Sequence, residues 1–187
     1  MQAAQNLILV GPMGAGKSSI GRRLAAGFGL VFVDLDEEIE RRTGASVATI
    51  FDCEGEPGFR TRERAALADC LARSGQVVAT GGGTVLDGNN RTLMRERGFV
   101  VYLQVALPAQ LARLARDRSR PLLDCDDREE VLQRLASQRE PLYHEVADLA
   151  FGTSQDNAGT AAARLASLLR ERWHGAPGNH PAQVHQA

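Results

Sequence analysis

The stretch from Gly11 to Ser18 carries the clearest chemical signal in the sequence. It reads GPMGAGKS, matches the phosphate-binding pattern GxxxxGK[ST], and directly follows the apolar run 7–10. Glycines let backbone amides wrap closely around a phosphate, and a helix that begins at the lysine adds its positive end. The lysine can reach the β- and γ-phosphates, and the serine hydroxyl can ligate Mg²⁺. The predicted nucleotide contacts are Gly14, Ala15, Gly16, Lys17, Ser18 and Ser19.

Lys17 is also the only lysine, because the other 21 of the 22 basic residues are arginine. A composition this poor in lysine indicates that arginine serves wherever a general cation is enough. The position that keeps lysine favours a compact point charge over a planar fork. A phosphate loop alone, however, does not distinguish a kinase from a GTPase, an ATPase motor or a nucleotide sensor.

Two carboxylates, Asp34 and Asp36, follow the second apolar run. Residues two apart in an extended chain face the same side, so both can look into a cleft beside the phosphate loop. We assign Asp34 to the shell of Mg²⁺, through water. Asp36 would hydrogen-bond an acceptor hydroxyl and take its proton, either as a true base or as an orienter. The alternative for Asp36 is a helix N-cap for 37–42.

Arginines and glycines further along the chain suit an anionic acceptor. Arg60 and Glu63 share a helix face, and arginine captures carboxylates in a bidentate manner. The run 81–83 is three glycines at the end of a strand, where backbone amides are accessible to a ligand. A solvated helix face and a plain flexible turn are the respective alternatives.

The polar, arginine-rich segment 115–127 has the length of a mobile lid. Within it, Arg120 precedes a proline and is a candidate to close onto the transferring phosphoryl group. Arg139 stands before Pro141, is predicted to end a helix there, and offers a second cation to the substrate. For each arginine taken alone, surface solvation is the alternative.

These residues require elements that bring them together, and the pattern of the chain supplies them. Apolar, β-rich runs predict strands over 7–10, 30–33, 76–80, 99–105 and 148–151. Helical periodicity covers 17–27, 37–42, 59–73, 90–97, 108–116, 128–139 and 158–173. Such alternation predicts an α/β fold with a parallel sheet, which binds ligands at the carboxyl ends of its strands.

Composition sets the outer limits. A chain of 187 residues with 43% hydrophobic and 24% charged residues fits one domain, which we assign to 1–174, followed by a disordered tail over 175–187. The net charge of -1 favours neither a nucleic-acid nor a membrane partner, and no apolar run is long enough to span a membrane. Three widely spaced cysteines form no metal pattern. We expect a cytoplasmic monomer with reduced cysteines.

The ordered set of motifs resembles the shikimate kinase family from about residue 6 to residue 173. The resembling segments are GPMGAGKSSIGRRLA, the DLD pair, IFDCEGEPGFRTRE, TGGG, SRPLL and QREPLY. The resemblance implies a three-layer α/β/α fold of the P-loop, nucleoside-monophosphate-kinase-like type, with a five-stranded parallel sheet and a lid. It implies transfer of the γ-phosphoryl group of ATP, with Mg²⁺, to the 3-hydroxyl of shikimate.

The resemblance also implies roles for single residues. Asp36, Arg60, Gly82 and Arg139 match the shikimate contacts, and Gly81 and Gly83 flank one of them. Arg120 matches the lid arginine, and Arg113 matches the residue that stacks near adenine. At Gln155 the chain departs from the Asn-Pro pair that members of the family often carry beside adenine, so the adenine contacts differ at this position. A kinase for another hydroxy acid such as gluconate and a non-catalytic nucleotide-binding module are the alternatives.

Overall fold

In a computed structural model that describes residues 5–115, 127–153 and 157–174, five strands form one parallel sheet. The strands are β1 (Asn6–Val10), β2 (Val31–Asp34), β3 (Gln76–Ala79), β4 (Gly98–Gln104) and β5 (Leu149–Gly152). Their order is β2-β3-β1-β4-β5, so the first strand is central and is fully buried. Apolar runs predicted all five strands, although only β1 and β3 are buried along their whole length and the edge strands β2 and β5 are partly exposed.

Seven helices and one short 3₁₀ turn cover this sheet within the described residues. The helices are α1 (Lys17–Phe28), α2 (Leu35–Thr43), α3 (Val47–Leu71), α4 (Gly88–Arg97), α5 (Leu107–Leu114), α6 (Arg128–Val146) and α7 (Ala158–Arg172), and the 3₁₀ turn is Thr84–Leu86. One core cluster joins α1 and α7 to one face, with Trp173 fully buried in it. The second cluster joins α2, α3, α4 and α6 to the other face. The predicted three-layer arrangement is confirmed.

The longest helix, α3, begins well before the predicted start at residue 59. Ser46 caps it by accepting a hydrogen bond from the Thr49 amide. Its axis is broken at Gly55, which has φ 67° and ψ -177°, so the element is two helical pieces joined by a kink. Only glycine adopts this backbone conformation readily. The helical pattern was predicted for the second piece only, because the kink interrupts the periodicity.

Helix α6 corrects another prediction. Arg139 does not end a helix, since α6 continues through Pro141 to Val146. A proline inside a helix removes one backbone hydrogen bond. Here Tyr143 and Val146 lie beyond the proline, and both are buried in the core. Their burial offsets the missing bond and keeps the last turns helical.

Several predictions lie wholly or largely outside the described residues, namely those for Arg120, Gln155, the lid over 115–127 and the tail over 175–187. Among the helices that the structure describes, none has the length and apolar character needed to cross a bilayer. Two cysteines fall in the described ranges, and both are free: Cys53 is exposed and Cys70 is buried. Those ranges also contain no cluster of metal-ligating side chains.

Candidate active site

The phosphate loop lies between β1 and α1, and its glycines take conformations that other residues avoid. Gly11, Gly14 and Gly16 have φ values of 141°, 76° and 91°. At Gly11 a Cβ would also lie 2.5 Å from the Leu103 carbonyl oxygen of the neighbouring strand. Glycine is therefore required there by both backbone shape and close packing. The loop ends at Gly16, the N-cap of α1, so the helix N-terminus points at the loop.

Lys17 and Ser18, the first residues of α1, make different contacts beside the phosphate loop. The Lys17 Nζ donates hydrogen bonds to the carbonyl oxygens of Gly11 and Pro12, each at 2.8 Å. The ammonium group is thus held over the loop that would cradle the phosphates. The Ser18 hydroxyl donates to Asp34 Oδ2 at 2.5 Å. Two oxygen ligands that suit Mg²⁺ therefore meet beside the loop.

Asp34 and Asp36 are separated by the start of α2. Asp34 is the N-cap, and its carboxylate accepts hydrogen bonds from the amides of Asp36 and Glu37. Asp36 lies in the first turn of the helix, so the alternative that Asp36 is the cap is wrong. Its carboxylate reaches the loop of three glycines at 81–83, called the glycine loop below, because a Cβ at position 81 would lie 3.2 Å from Asp36 Oδ1.

None of the three glycines after β3 is needed for backbone freedom, and two of them, Gly81 and Gly83, are needed for space. None of them has a positive φ. A Cβ at Gly81 would lie 3.0 Å from Glu63 Oε1, and one at Gly83 would lie 2.2 Å from Arg60 Nη2. At Gly82 the nearest atoms would be Arg139 Nη1 and the Met13 backbone nitrogen, both at 3.5 Å, which is an ordinary contact distance. Each glycine is therefore approached by the charged group of a different side chain, and the flexible-turn alternative is not needed.

Arg60 is held by a buried network instead of lying in solvent. Its Nη1 donates to Glu63 Oε2 at 2.7 Å, and Glu63 is only 1% exposed. The second oxygen of Glu63 accepts from the Thr84 hydroxyl at 2.7 Å. Burial acts to lower the pKa of Arg60, but the carboxylates of Glu63 and Glu56 together outweigh it and the net shift is upward. The solvated-face alternative is therefore wrong for Arg60, whose side chain is 18% exposed.

Arg139 is more deeply buried, at 6% exposure. Its Nε has no hydrogen-bond partner, and the guanidinium forms no ion pair with any carboxylate of the described residues. A buried cation without a counter-charge is costly unless a ligand supplies one. Because its Nη1 faces Gly82, the charge is directed at the glycine loop.

Arg113 lies on the other side of the phosphate loop. Its Nη1 donates to the Gly14 carbonyl oxygen at 3.0 Å and to Thr153 Oγ1 at 3.2 Å. Thr153 in turn donates to the Ala15 carbonyl at 3.2 Å. This linkage ties the loop to the end of β5, where the chain continues toward Gln155. The predicted stacking of Arg113 on adenine stays a prediction.

One cleft of about 830 Å³ brings these groups together. Ala15 does not line it, because its side chain is fully buried and its amide donates to the Pro12 carbonyl at 3.3 Å. The predicted residues that do line it are Gly14, Gly16, Lys17, Ser18, Ser19, Asp34, Asp36, Arg60, Gly81, Gly82, Gly83, Arg113 and Arg139. A volume of this size fits a nucleotide phosphate chain and a small acceptor.

The structure gives positions to residues that the motifs left without a role. Glu63 and Thr84 support Arg60, while Phe51 and Phe59 form an apolar wall of the cleft with ring centroids 4.6 Å apart. Glu63 carried a signal in its spacing of three from Arg60, and it stands with both phenylalanines in the resembling segment IFDCEGEPGFRTRE. Thr84 lies outside every quoted segment, and its proximity to the site depends on the tertiary packing.

Comparison with known proteins agrees with this geometry. A protein-family model described as shikimate kinase matches residues 13–170. The shikimate kinase of Stenotrophomonas maltophilia (strain K279a) is 56% identical over 173 residues, covering 92% of this chain and 96% of that protein.

Solved structures give the same result. A shikimate kinase from Acinetobacter baumannii in complex with shikimate is 46% identical and has a TM-score of 0.87, covering 89% of this chain and 93% of its own. A gluconokinase from Sinorhizobium meliloti, at 20% identity, a TM-score of 0.58 and coverage of 93% and 100%, shares the fold alone. The family match, the close relatives and the arrangement of the cleft lead to one conclusion: the chain belongs to the shikimate kinase family.

Proposed function

We propose that this chain transfers the γ-phosphoryl group of ATP to the 3-hydroxyl of shikimate, a reaction of aromatic amino acid biosynthesis. The observation that carries the proposal is the buried, uncompensated guanidinium of Arg139 across the glycine loop from Arg60. Two arginines that converge on one loop form a site for a carboxylate. This anion site lies in the same cleft as a phosphate loop, so a phosphoryl donor and an acidic acceptor can meet.

On the acceptor side, Arg60 and Arg139 would hold the carboxylate of shikimate. Arg60 is pre-oriented by Glu63, so little side-chain freedom is lost when the substrate binds. The apolar ring of the substrate would face Phe51 and Phe59. With the carboxylate fixed at one end, one hydroxyl at the other end can point toward the phosphate loop.

On the donor side, the phosphate loop, Lys17 and the N-terminus of α1 would neutralise the phosphate charge. Ser18 and Asp34 fit the hard oxygen ligands of Mg²⁺, the serine directly and the aspartate through water. When bound, Mg²⁺ would neutralise charge on the β- and γ-phosphates. We assign Arg120, from the predicted lid, to the transferring group, and Arg113 and Gln155 to the nucleotide.

In the transfer itself, the acceptor hydroxyl oxygen forms a bond to the γ-phosphorus. The bond from that phosphorus to the β,γ-bridging oxygen breaks, and ADP leaves with the electron pair. The acceptor proton passes to the Asp36 carboxylate, which stands at the glycine loop. The protein mainly positions groups and stabilises charge, as the loose transition state of phosphoryl transfer requires.

A coupled ADP-release assay tests the proposal over a panel of shikimate, quinate, gluconate and nucleoside monophosphates. We expect rapid ADP release with shikimate and little release with the other compounds or with water alone. Preferential release with gluconate would overturn the substrate assignment. Nucleotide binding without ADP release for any acceptor would instead favour a non-catalytic module.

A further inference from the structure

Tyr143 connects two parts of the acceptor site. It lies on α6 one helical turn after Arg139, so the two side chains share a face. The residue is 2% exposed, and its hydroxyl donates a hydrogen bond to the Gly82 carbonyl oxygen. Its ring stacks on that of Tyr102, with centroids 5.0 Å apart and planes 27° apart. The stack fixes the ring, and the ring fixes the position of the hydroxyl.

This hydrogen bond controls the orientation of one peptide group. The peptide between Gly82 and Gly83 is trans, so its carbonyl and its amide point in opposite directions. Tyr143 holds the carbonyl toward α6. The two glycines lie between two guanidinium groups, with Arg139 at Gly82 and Arg60 at Gly83. A rotation of the peptide would shift the loop relative to both arginines.

The phenol is a permanent donor at physiological pH. Burial raises the pKa of Tyr143, while the charge of Arg139 and its side-chain contact act in the opposite direction without cancelling that rise. Because the pKa lies above the ordinary tyrosine value, the hydroxyl keeps its proton throughout the neutral range. The Gly82 carbonyl therefore always has its partner.

We propose that Tyr143 is a positioning residue for the acceptor, which holds the glycine loop against Arg139 so that both contact the shikimate carboxylate region at once. The inference rests on the proposed function. Tyr143 does not line this cleft, and its hydroxyl bonds the acceptor side of it, at the Gly82 carbonyl. Its loss should therefore affect the acceptor more than ATP.

The test compares Tyr143→Phe with Tyr102→Phe. Each variant removes one phenol hydroxyl from the same stacked pair, but only Tyr143 bonds the glycine loop. For Tyr143→Phe we expect the KM for shikimate to rise about tenfold, because a buried carbonyl loses its partner. The KM for ATP should stay within about twofold. Tyr102→Phe should leave both values near those of the wild type.

A second measurement keeps the Tyr143 hydroxyl in place and therefore does not depend on how Tyr143→Phe folds. The chain contains two tyrosines, so 3-fluorotyrosine in the Tyr102→Phe background labels Tyr143 alone. We expect its fluorine resonance to shift on addition of shikimate and to change little with ATP. A resonance indifferent to shikimate would overturn the inference, as would equal changes of both KM values in Tyr143→Phe. A wild-type enzyme that does not phosphorylate shikimate would overturn the proposed function as well.

Discussion

Asp34 and Asp36 have the same side chain, stand two residues apart, and have different environments. Asp34 is engaged by the Ser18 hydroxyl and by two backbone amides at the start of α2. Asp36 follows it into the helix and approaches the glycine loop. The capping function therefore belongs to Asp34, and the acceptor function is the one that we propose for Asp36. This division makes the proposed role of Asp36 open to a clean test.

Asp36→Asn should separate catalysis from stability. Since Asp34 remains as the cap, we expect the melting temperature to stay within about 2 °C of the wild type. Turnover should fall by about 10²–10⁴, because an amide cannot accept the hydroxyl proton. Single-turnover phosphoryl transfer and thermal unfolding measure the two effects. Glu38→Gln, in the same helical turn but outside the cleft, is the control and should keep normal turnover.

Arg60→Ala and Arg62→Ala form a second matched pair. Arg60 bonds the buried Glu63, whereas Arg62 pairs with Glu54 at the surface. We expect Arg60→Ala to weaken shikimate binding by about 2–5 kcal/mol, since it would pair with a desolvated carboxylate. Arg62→Ala should leave binding unchanged, because exposed ion pairs contribute little. Isothermal titration calorimetry measures the affinity of both variants for shikimate, and normal affinity in Arg60→Ala would remove this residue from the site.

The sequence predicts residues of this site unevenly. Lys17, Ser18 and the glycines stand in contiguous motifs, whose function follows from local geometry. Glu63 and Tyr143 act through contacts 21 and 61 residues away along the chain, to Thr84 and Gly82. Both residues stand in segments that resemble the family, IFDCEGEPGFRTRE and QREPLY, but no local pattern encodes the contacts that they make, which emerge only from the folded structure.

At the scale of elements, α3 shows where periodicity fails. The second piece of the helix was predicted, and the first piece, from Val47 to the kink at Gly55, was not. The break shifts the apolar faces of the two pieces relative to each other, so a single helical period does not fit the whole segment. The first piece matters for the site, because Val47 and Phe51 in it line the cleft.

Gly55→Ala should therefore destabilise the folded protein. Gly55 has φ 67° and ψ -177°, a conformation essentially restricted to glycine, and we expect a loss of about 1–3 kcal/mol in the free energy of unfolding. Gly27→Ala is the control, because Gly27 has helical backbone in α1 and open space around its Cβ position. That change should stabilise by about 0.5–1 kcal/mol. Equal effects in urea unfolding would contradict the strained-kink interpretation.

At the scale of the whole molecule, the α/β class follows from the alternation of elements, but the strand order does not. All five strands were predicted from short apolar runs, and such runs do not say which strands are neighbours. In the structure β1 pairs with both β3 and β4, and this arrangement brings the ends of β1 and β3 together. The phosphate loop and the glycine loop meet because of that pairing.

The composition of the entire chain offers a last test, since Lys17 is its only lysine. An amine-selective reagent has two targets, the Lys17 side chain and the α-amino group of the chain. The α-amino group should react first near neutral pH, because its reference pKa is lower than that of a lysine. We expect this first modification to leave activity intact, because the phosphate-loop motif assigns the phosphate contacts to Lys17 and not to the α-amino group.

Modification of Lys17 should then abolish phosphoryl transfer. The Nζ donates to the Gly11 and Pro12 carbonyls, so the charge sits directly on the phosphate loop, and a neutral, bulkier group there would block the nucleotide. ATP with Mg²⁺ should protect Lys17 and leave the α-amino group reactive, and mass spectrometry of the two peptides follows both sites separately. Lys17→Arg should also be inactive, because a planar fork does not fit between two carbonyls that hold a compact ammonium. Full activity in protein with confirmed modification of Lys17 would exclude it from the chemistry, whatever the motif around it predicts.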